Sequence, residues 1–177
     1  MKRSLLKDLE PSKLSDYKYH LEGEKKEVLR RAVCTCGTRE RLLNNIVTWA
    51  KGSSSETIYW LFGPAGTGKT TIAYTIARRF ELATPEDTIV LGGNFFSSRQ
   101  FEETRFSTHI IRTIIYHLAL RCKAFADALT HSGTCHFENK LCSRVSNVIY
   151  PKVYLIRPFD VSHFLSNYIP MIYHTAS

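Results

Sequence analysis

Long apolar runs are missing from this chain of 177 residues. The best candidate, 110–120, is broken by Arg112 and His117 and falls short of the roughly 18 residues a membrane-crossing helix requires. Glycine and proline are sparse, nine and six, too few for a low-complexity chain. With 44% hydrophobic and 23% charged residues, wholesale disorder is excluded as well. The length suits one domain of ordinary size or part of a larger one, and it cannot hold two enzymes.

Cysteine is scarce and odd in number, five in all. The opening residues Met1-Lys2-Arg3-Ser4-Leu5-Leu6-Lys7-Asp8 meet charge before an apolar core of secretory length develops. The expectation is a cytoplasmic chain with free thiols rather than a disulfide framework. Cys34, Cys36, Cys135, His136 and Cys142 do not match the spacing of a common zinc site.

Acidic residues are in the minority, 16 against 24 lysines and arginines, which leaves a formal charge of +8. The basic residues stand in short mixed blocks such as Glu24-Lys25-Lys26-Glu27, without interleaved aromatics. They read as solvated helix faces, and no specific nucleic-acid partner is expected.

What is present is an alternation of patterns. Residues 17–50 read as helical in two pieces, parted at Cys34-Thr35-Cys36-Gly37, with Leu42, Leu43, Ile46, Trp49 and Ala50 at helical spacing. After a polar loop at 51–56, the run 57–62 is rich in β-formers and reads as a buried parallel strand. Helix is expected over 69–81, with Ile72, Ala73, Ile76, Ala77 and Phe80 on one face, then a second strand over 88–96. A helix over 107–122 carries Ile110, Ile111, Ile114, Ile115, Leu118 and Ala119 in one stripe. Strand, helix, strand, helix predicts an α/β fold: part of a three-layer P-loop fold, a parallel sheet with flanking helices. The expected division is a helical lead-in and linker over 1–56, the nucleotide-binding part over 57–130, and an atypical tail over 131–177 without clear periodicity.

The strongest chemical signal is Gly63-Pro64-Ala65-Gly66-Thr67-Gly68-Lys69-Thr70, which fits G-x-x-x-x-G-K-[ST] at every fixed position. Its glycines let the backbone curl so that several N–H groups converge on one concavity, and the following helix adds its positive dipole end. Lys69 is expected to reach the β- and γ-phosphates, Thr70 to be a ligand of Mg²⁺, and Thr71 to lie on the α-phosphate side. Hydrolysis further needs an acidic residue at the end of another strand. The one candidate downstream, Asp160, follows Arg157 and Pro158, which do not suit a central strand. Arg99 and Arg105 follow the second predicted strand and read either as γ-phosphate contacts or as solvated loop arginines. No recognisable nucleophile accompanies His109 or His117, which read as residues of a helix surface or its edge.

Several segments in order resemble the fungal NACHT-type NTPases of the STAND class, related to the nephrocystin-type N-terminal NTPase domain. They are Cys36-Gly37-Thr38-Arg39 with Leu42, Leu43, Ile46 and Trp49; Ile58-Tyr59-Trp60-Leu61-Phe62 with the phosphate loop; Gly93-Asn94-Phe95-Phe96-Ser97-Ser98-Arg99; and Ser107-Thr108 through Ala119. The family usually has proline where Cys36 stands. The resemblance covers about residues 30–130 and implies ATP or GTP with Mg²⁺ as ligand, with Gly37-Thr38-Arg39 near the base. It also implies a later strand ending in a magnesium-binding Asp motif, further strands and a helical arm. None of these is recognisable here, so the chain reads as a truncated signalling NTPase or a gene-model error. Three functions stay open: a nucleotide-binding switch, a small P-loop kinase, and a non-catalytic interaction fragment that engages protein partners or itself through uncovered apolar surface.

Overall fold

Leu42, Leu43, Ile46, Val47 and Ala50 recur at the three- and four-residue spacing that puts side chains on one side of a helix. In a computed structural model of the chain, which describes residues 6–19, 31–51, 59–82, 89, 91–98 and 100–132, they do so in α1, Glu40–Lys51. Glu40 in its first turn and Lys51 in its last complement the helix dipole. Ile46 and Ala50 are buried, and Leu42, Leu43, Val47 and Trp49 pack around them.

The second helix, α2 at Lys69–Glu81, starts at Gly68 and buries Ile72, Ala73, Tyr74, Ile76, Ala77 and Phe80. Helices α1 and α2 share one core, completed by Tyr17, Ile89, Leu91 and Phe96. After a 3-10 turn at Glu102–Thr104 come α3, Ser107–Arg121, and α4, Lys123–Ser132. A second core joins Ile110, Ile111, Ile114, Ile115, Leu118 and Ala119 of α3 to Phe125 and Leu129 of α4, with Leu9 and Phe95 inserted between them. Each large aliphatic or aromatic side chain so buried contributes about 1.5–3 kcal/mol.

Residues 91–98 run between the two cores. Leu91 and Phe96 face the first and Phe95 the second, so neighbouring side chains in an extended backbone feed both. Segment 6–19 covers this line as a short helical stretch at 6–8 followed by turns, with Glu10 N–H bonded to Lys7 O, Asp16 N–H to Lys13 O and Tyr19 N–H to Asp16 O. Ser15 Oγ donates locally to Ser12 O (2.8 Å), and the backbone of the segment also finds distant partners. Ser12 N–H donates to Thr113 Oγ1 (2.9 Å), Tyr17 N–H to Asn94 Oδ1 (2.7 Å), and Phe96 N–H to Ser15 O (2.9 Å). Arg31 ties in from the other side, donating to Asp16 O at 2.6 Å with its guanidinium 4.5 Å from the centre of the Phe96 ring.

The expected α/β fold is overturned: among the described residues there is no strand and no sheet, and the regular elements are helices. The described parts of the two predicted strands are extended but do not pair. A ladder requires neighbouring backbones to exchange N–H···O=C bonds. Here Leu91 N–H donates instead to Phe80 O at the end of α2, and Asn94 N–H donates to a histidine ring. The first predicted strand is not fully buried either. Tyr59 and Leu61 lie against the α1–α2 core, with Tyr59 edge-on to Trp49 at 5.5 Å, while Trp60 and Phe62 are 51% and 81% exposed. The predicted helices survive, over 40–51, 69–81 and 107–121. Most of the first lead-in piece, the 51–56 loop and the tail beyond residue 132 lie outside the described residues.

Candidate functional site

Three glycines shape the loop that leads into α2. Gly66 and Gly68 take φ of +80° and +81°, left-handed conformations that cost a side-chain-bearing residue about 1–2 kcal/mol. At Gly66 the space beyond Cα is open. At Gly68 it is filled, since a Cβ there would stand 2.6 Å from an Nη of Arg39. Thr67 Oγ1 donates to Pro64 O at 2.9 Å, closing the turn across the loop. Lys69, the first residue of α2, turns its ammonium back over the loop and donates to Gly63 O at 2.7 Å and Pro64 O at 2.6 Å.

Loop and lead-in are tied together. Arg39 itself has a left-handed backbone, φ +59°, unusual for a non-glycine residue. Its guanidinium lies 3.4 Å from Thr67 O through Nη2 and 3.8 Å from Cys34 Sγ through Nη1. Cys34 N–H donates to Thr75 Oγ1 (2.9 Å), and that hydroxyl donates to Thr71 O (2.8 Å) in the first turn of α2. Thr38 Oγ1 donates to Thr35 O at 2.6 Å and tightens the intervening turn.

Chemically, the arrangement is an exposed loop at a helix N-terminus with two cations beside it. Gly63, Pro64, Ala65, Gly66, Thr67 and Thr70 are exposed, and Gly68, Lys69 and Thr71 are half-buried. The ammonium of Lys69 and the opening turn of α2 suit an anion with several oxygens. For a metal, Thr70 offers one hydroxyl, and among the described residues no group of three or more His, Cys, Asp or Glu side chains could hold an ion. That donor set fits a Mg²⁺ that takes most of its ligands from phosphate and water, with Thr70 as the protein oxygen.

Other sequence candidates are scattered. Arg105 is exposed. Cys34 and Cys36 are free thiols, half-buried and exposed. His109 Nδ1 donates to Glu103 O at 2.6 Å and so holds the 3-10 turn. Arg99, Cys135, His136, Cys142 and Asp160 lie outside the described residues.

Sequence reasoning missed a polar cluster at the seam of the two cores. Asn94 N–H donates to His117 Nδ1 (3.3 Å), which leaves the Nε2–H to face Asp16 Oδ2 (3.3 Å). Burial disfavours the charged form of Asp16, but the His117 hydrogen bond and the Lys18 N–H outweigh it and hold the carboxyl below its ordinary value. Burial pushes the neighbouring Tyr17 hydroxyl well above its ordinary range, helped by the charges of Glu81 and Asp16. Glu81 in turn accepts from Lys18 and, at 2.6 Å, from Arg121. The groups that meet across the seam come from positions 23 to 101 residues apart, so no local spacing could have shown the cluster.

No helix among the described residues is long and apolar enough to cross a membrane. Comparison with curated proteins finds no match, and comparison with solved structures finds none either. The family described as Nephrocystin 3, N-terminal matches over residues 37–153, from the glycine of the lead-in turn through the 63–70 loop and helices α1 to α4. That stretch is well over half of the chain, and the chain belongs to this family.

Proposed function

We propose that the loop 63–70 binds the phosphates of a nucleotide, ATP or GTP, as the switch module of a STAND-type signalling NTPase. The observation that carries this reading is the complete phosphate-loop motif seated at the N-terminus of α2, with Gly66 and Gly68 left-handed and Lys69 folded over the loop. Lys69 exchanges its two carbonyl partners for β- and γ-phosphate oxygens. Backbone N–H groups of the loop and the first turn of α2 would take the remaining oxygens, and the Thr70 hydroxyl would help to hold a Mg²⁺ that neutralises phosphate charge. Binding, rather than turnover, is the activity proposed, since the acidic candidate Asp160 lies outside the described residues.

Magnesium-dependent binding of a fluorescent ATP analogue to the full chain tests this, with Lys69→Ala alongside and GTP as competitor. Micromolar binding that disappears in the variant supports the reading. No binding by a chain shown to be folded would sink it. A second reading, a protein-interaction surface, draws on Trp60 and Phe62, which are exposed immediately before the loop. A Lys69→Ala chain that kept all its partners would favour it.

A further inference from the structure

The loop's donors are useful only if their peptides are turned the right way, and the loop does not fix this alone. In a trans peptide the carbonyl and the next N–H point in opposite directions. Whatever holds Thr67 O therefore also aims Gly68 N–H. Thr67 O lies 3.4 Å from Arg39 Nη2, a long contact by hydrogen-bond standards. The steric fit is tighter: a Cβ on Gly68 would lie 2.6 Å from Nη2 and 3.0 Å from Cζ, so the guanidinium rests on that glycine. The other end of the fork faces Cys34 Sγ at 3.8 Å, and Cys34 is bonded through Thr75 to the first turn of α2. The left-handed backbone of Arg39 is a further cost that surrounding structure must offset.

We infer that Arg39 is a positioning residue of the phosphate loop: its guanidinium, wedged between Cys34 and the Thr67–Gly68 peptide, sets the direction of the Gly68 N–H that meets phosphate. The phosphate end of this inference rests on the nucleotide-binding reading above; the wedge itself does not. Arg39 thereby couples the lead-in turn to the loop, so a movement of residues 34–39 changes phosphate affinity without touching Lys69. Lysine cannot substitute, because a single ammonium does not span two partners as a planar fork does.

Hydrogen exchange of the full chain without nucleotide, followed in peptides spanning the loop and in peptides from α3 and α4, tests the wedge. Arg39→Ala and Arg39→Lys should both speed exchange in the loop by about tenfold, the effect of one lost hydrogen bond to a charged group, and leave α3 and α4 unchanged. Unchanged loop exchange in Arg39→Ala overturns the inference, and so does full protection restored by lysine. Should Arg39→Ala loosen the whole chain, the pair Gly68→Ala and Gly68→Ala with Arg39→Ala decides instead. The glycine substitution must speed loop exchange less when the arginine is already gone, and equal effects in both backgrounds overturn the wedge. In the nucleotide arm, Arg39→Ala should weaken the magnesium-dependent ATP analogue by about tenfold, while Lys69→Ala abolishes binding. A wild-type chain that bound no nucleotide would sink the functional proposal, and the exchange experiment would still decide the role of Arg39.

Discussion

Two runs that the sequence reads alike as strands meet different fates in this molecule. Residues 91–96 are buried, with Leu91, Asn94, Phe95 and Phe96 each no more than 2% exposed. Residues 59–62 lie on the surface of a core with every second side chain in solvent. The difference is supplied by segment 6–19 and α3, which cover the first run and accept the N–H groups of Phe96 and Asn94, while the second, among the described residues, lies against the α1–α2 core. Apolar content alone, then, does not settle burial; the supply of partners for the backbone does.

Truncation should separate the two runs most sharply. Phe95→Ala removes a side chain with no exposure and should cost about 3–5 kcal/mol, read from urea unfolding. A cost below about 1 kcal/mol would mean that the wall between the cores collapses easily. Next in size is Asn94→Ala, which leaves the buried N–H of Tyr17 without its acceptor and should cost about 1–3 kcal/mol. Within the loop that follows the exposed run, Gly66→Ala should cost about 1–2 kcal/mol for its left-handed backbone. Gly68→Ala should cost more, because there the new methyl also meets Arg39. Equal losses at the two glycines would remove the steric distinction between them.

A smaller effect appears in acid. The folded state lowers the pKa of Asp16 from its ordinary 3.8, so its contribution is complete above that value and is lost as pH falls through the lower folded one. The stability gap between wild type and Asp16→Asn should therefore narrow below about pH 4, and a gap constant down to complete protonation would contradict the assignment. Least affected should be Phe62→Ser, at 81% exposure: a change within about 0.5 kcal/mol. A large loss there would show that the exposed run is covered in solution, and comparing unfolding at two protein concentrations would identify self-association as the cause.

The helical half of the fold was legible because a 3.6-residue period is a local signal. Ile72, Ile76 and Phe80, or Ile111, Ile115 and Leu118, announce their faces within four turns. The sheet was misread because β-forming composition reports a preference for extended backbone, not the presence of a neighbour. Where Asn94 offers its side-chain oxygen to Tyr17, an extended segment is satisfied without a ladder, and the two residues are 77 positions apart. The left-handed glycines of the 63–70 loop were legible from the spacing of the motif. The packing of the Arg39 guanidinium on Gly68 was not, because no local spacing joins positions 39 and 68. Helix α4 went unnoticed because its ten residues carry three small alanines and only two large apolar anchors, Phe125 and Leu129.

Segment 6–19 precedes the stretch matched by the family, yet Leu9 and Tyr17 sit in the two cores. Ser12 reaches its acceptor on Thr113 across 101 positions. At about 5–20 residues per second, a ribosome needs roughly 5–20 s to make the chain between them. Throughout that interval the segment has no α3 to lie against, and Asn94 has not been made for most of it. Residues 6–19 are therefore seated late despite being made early, and nascent chains that stop short of Thr113 must carry their half-built second core in the open or under a chaperone.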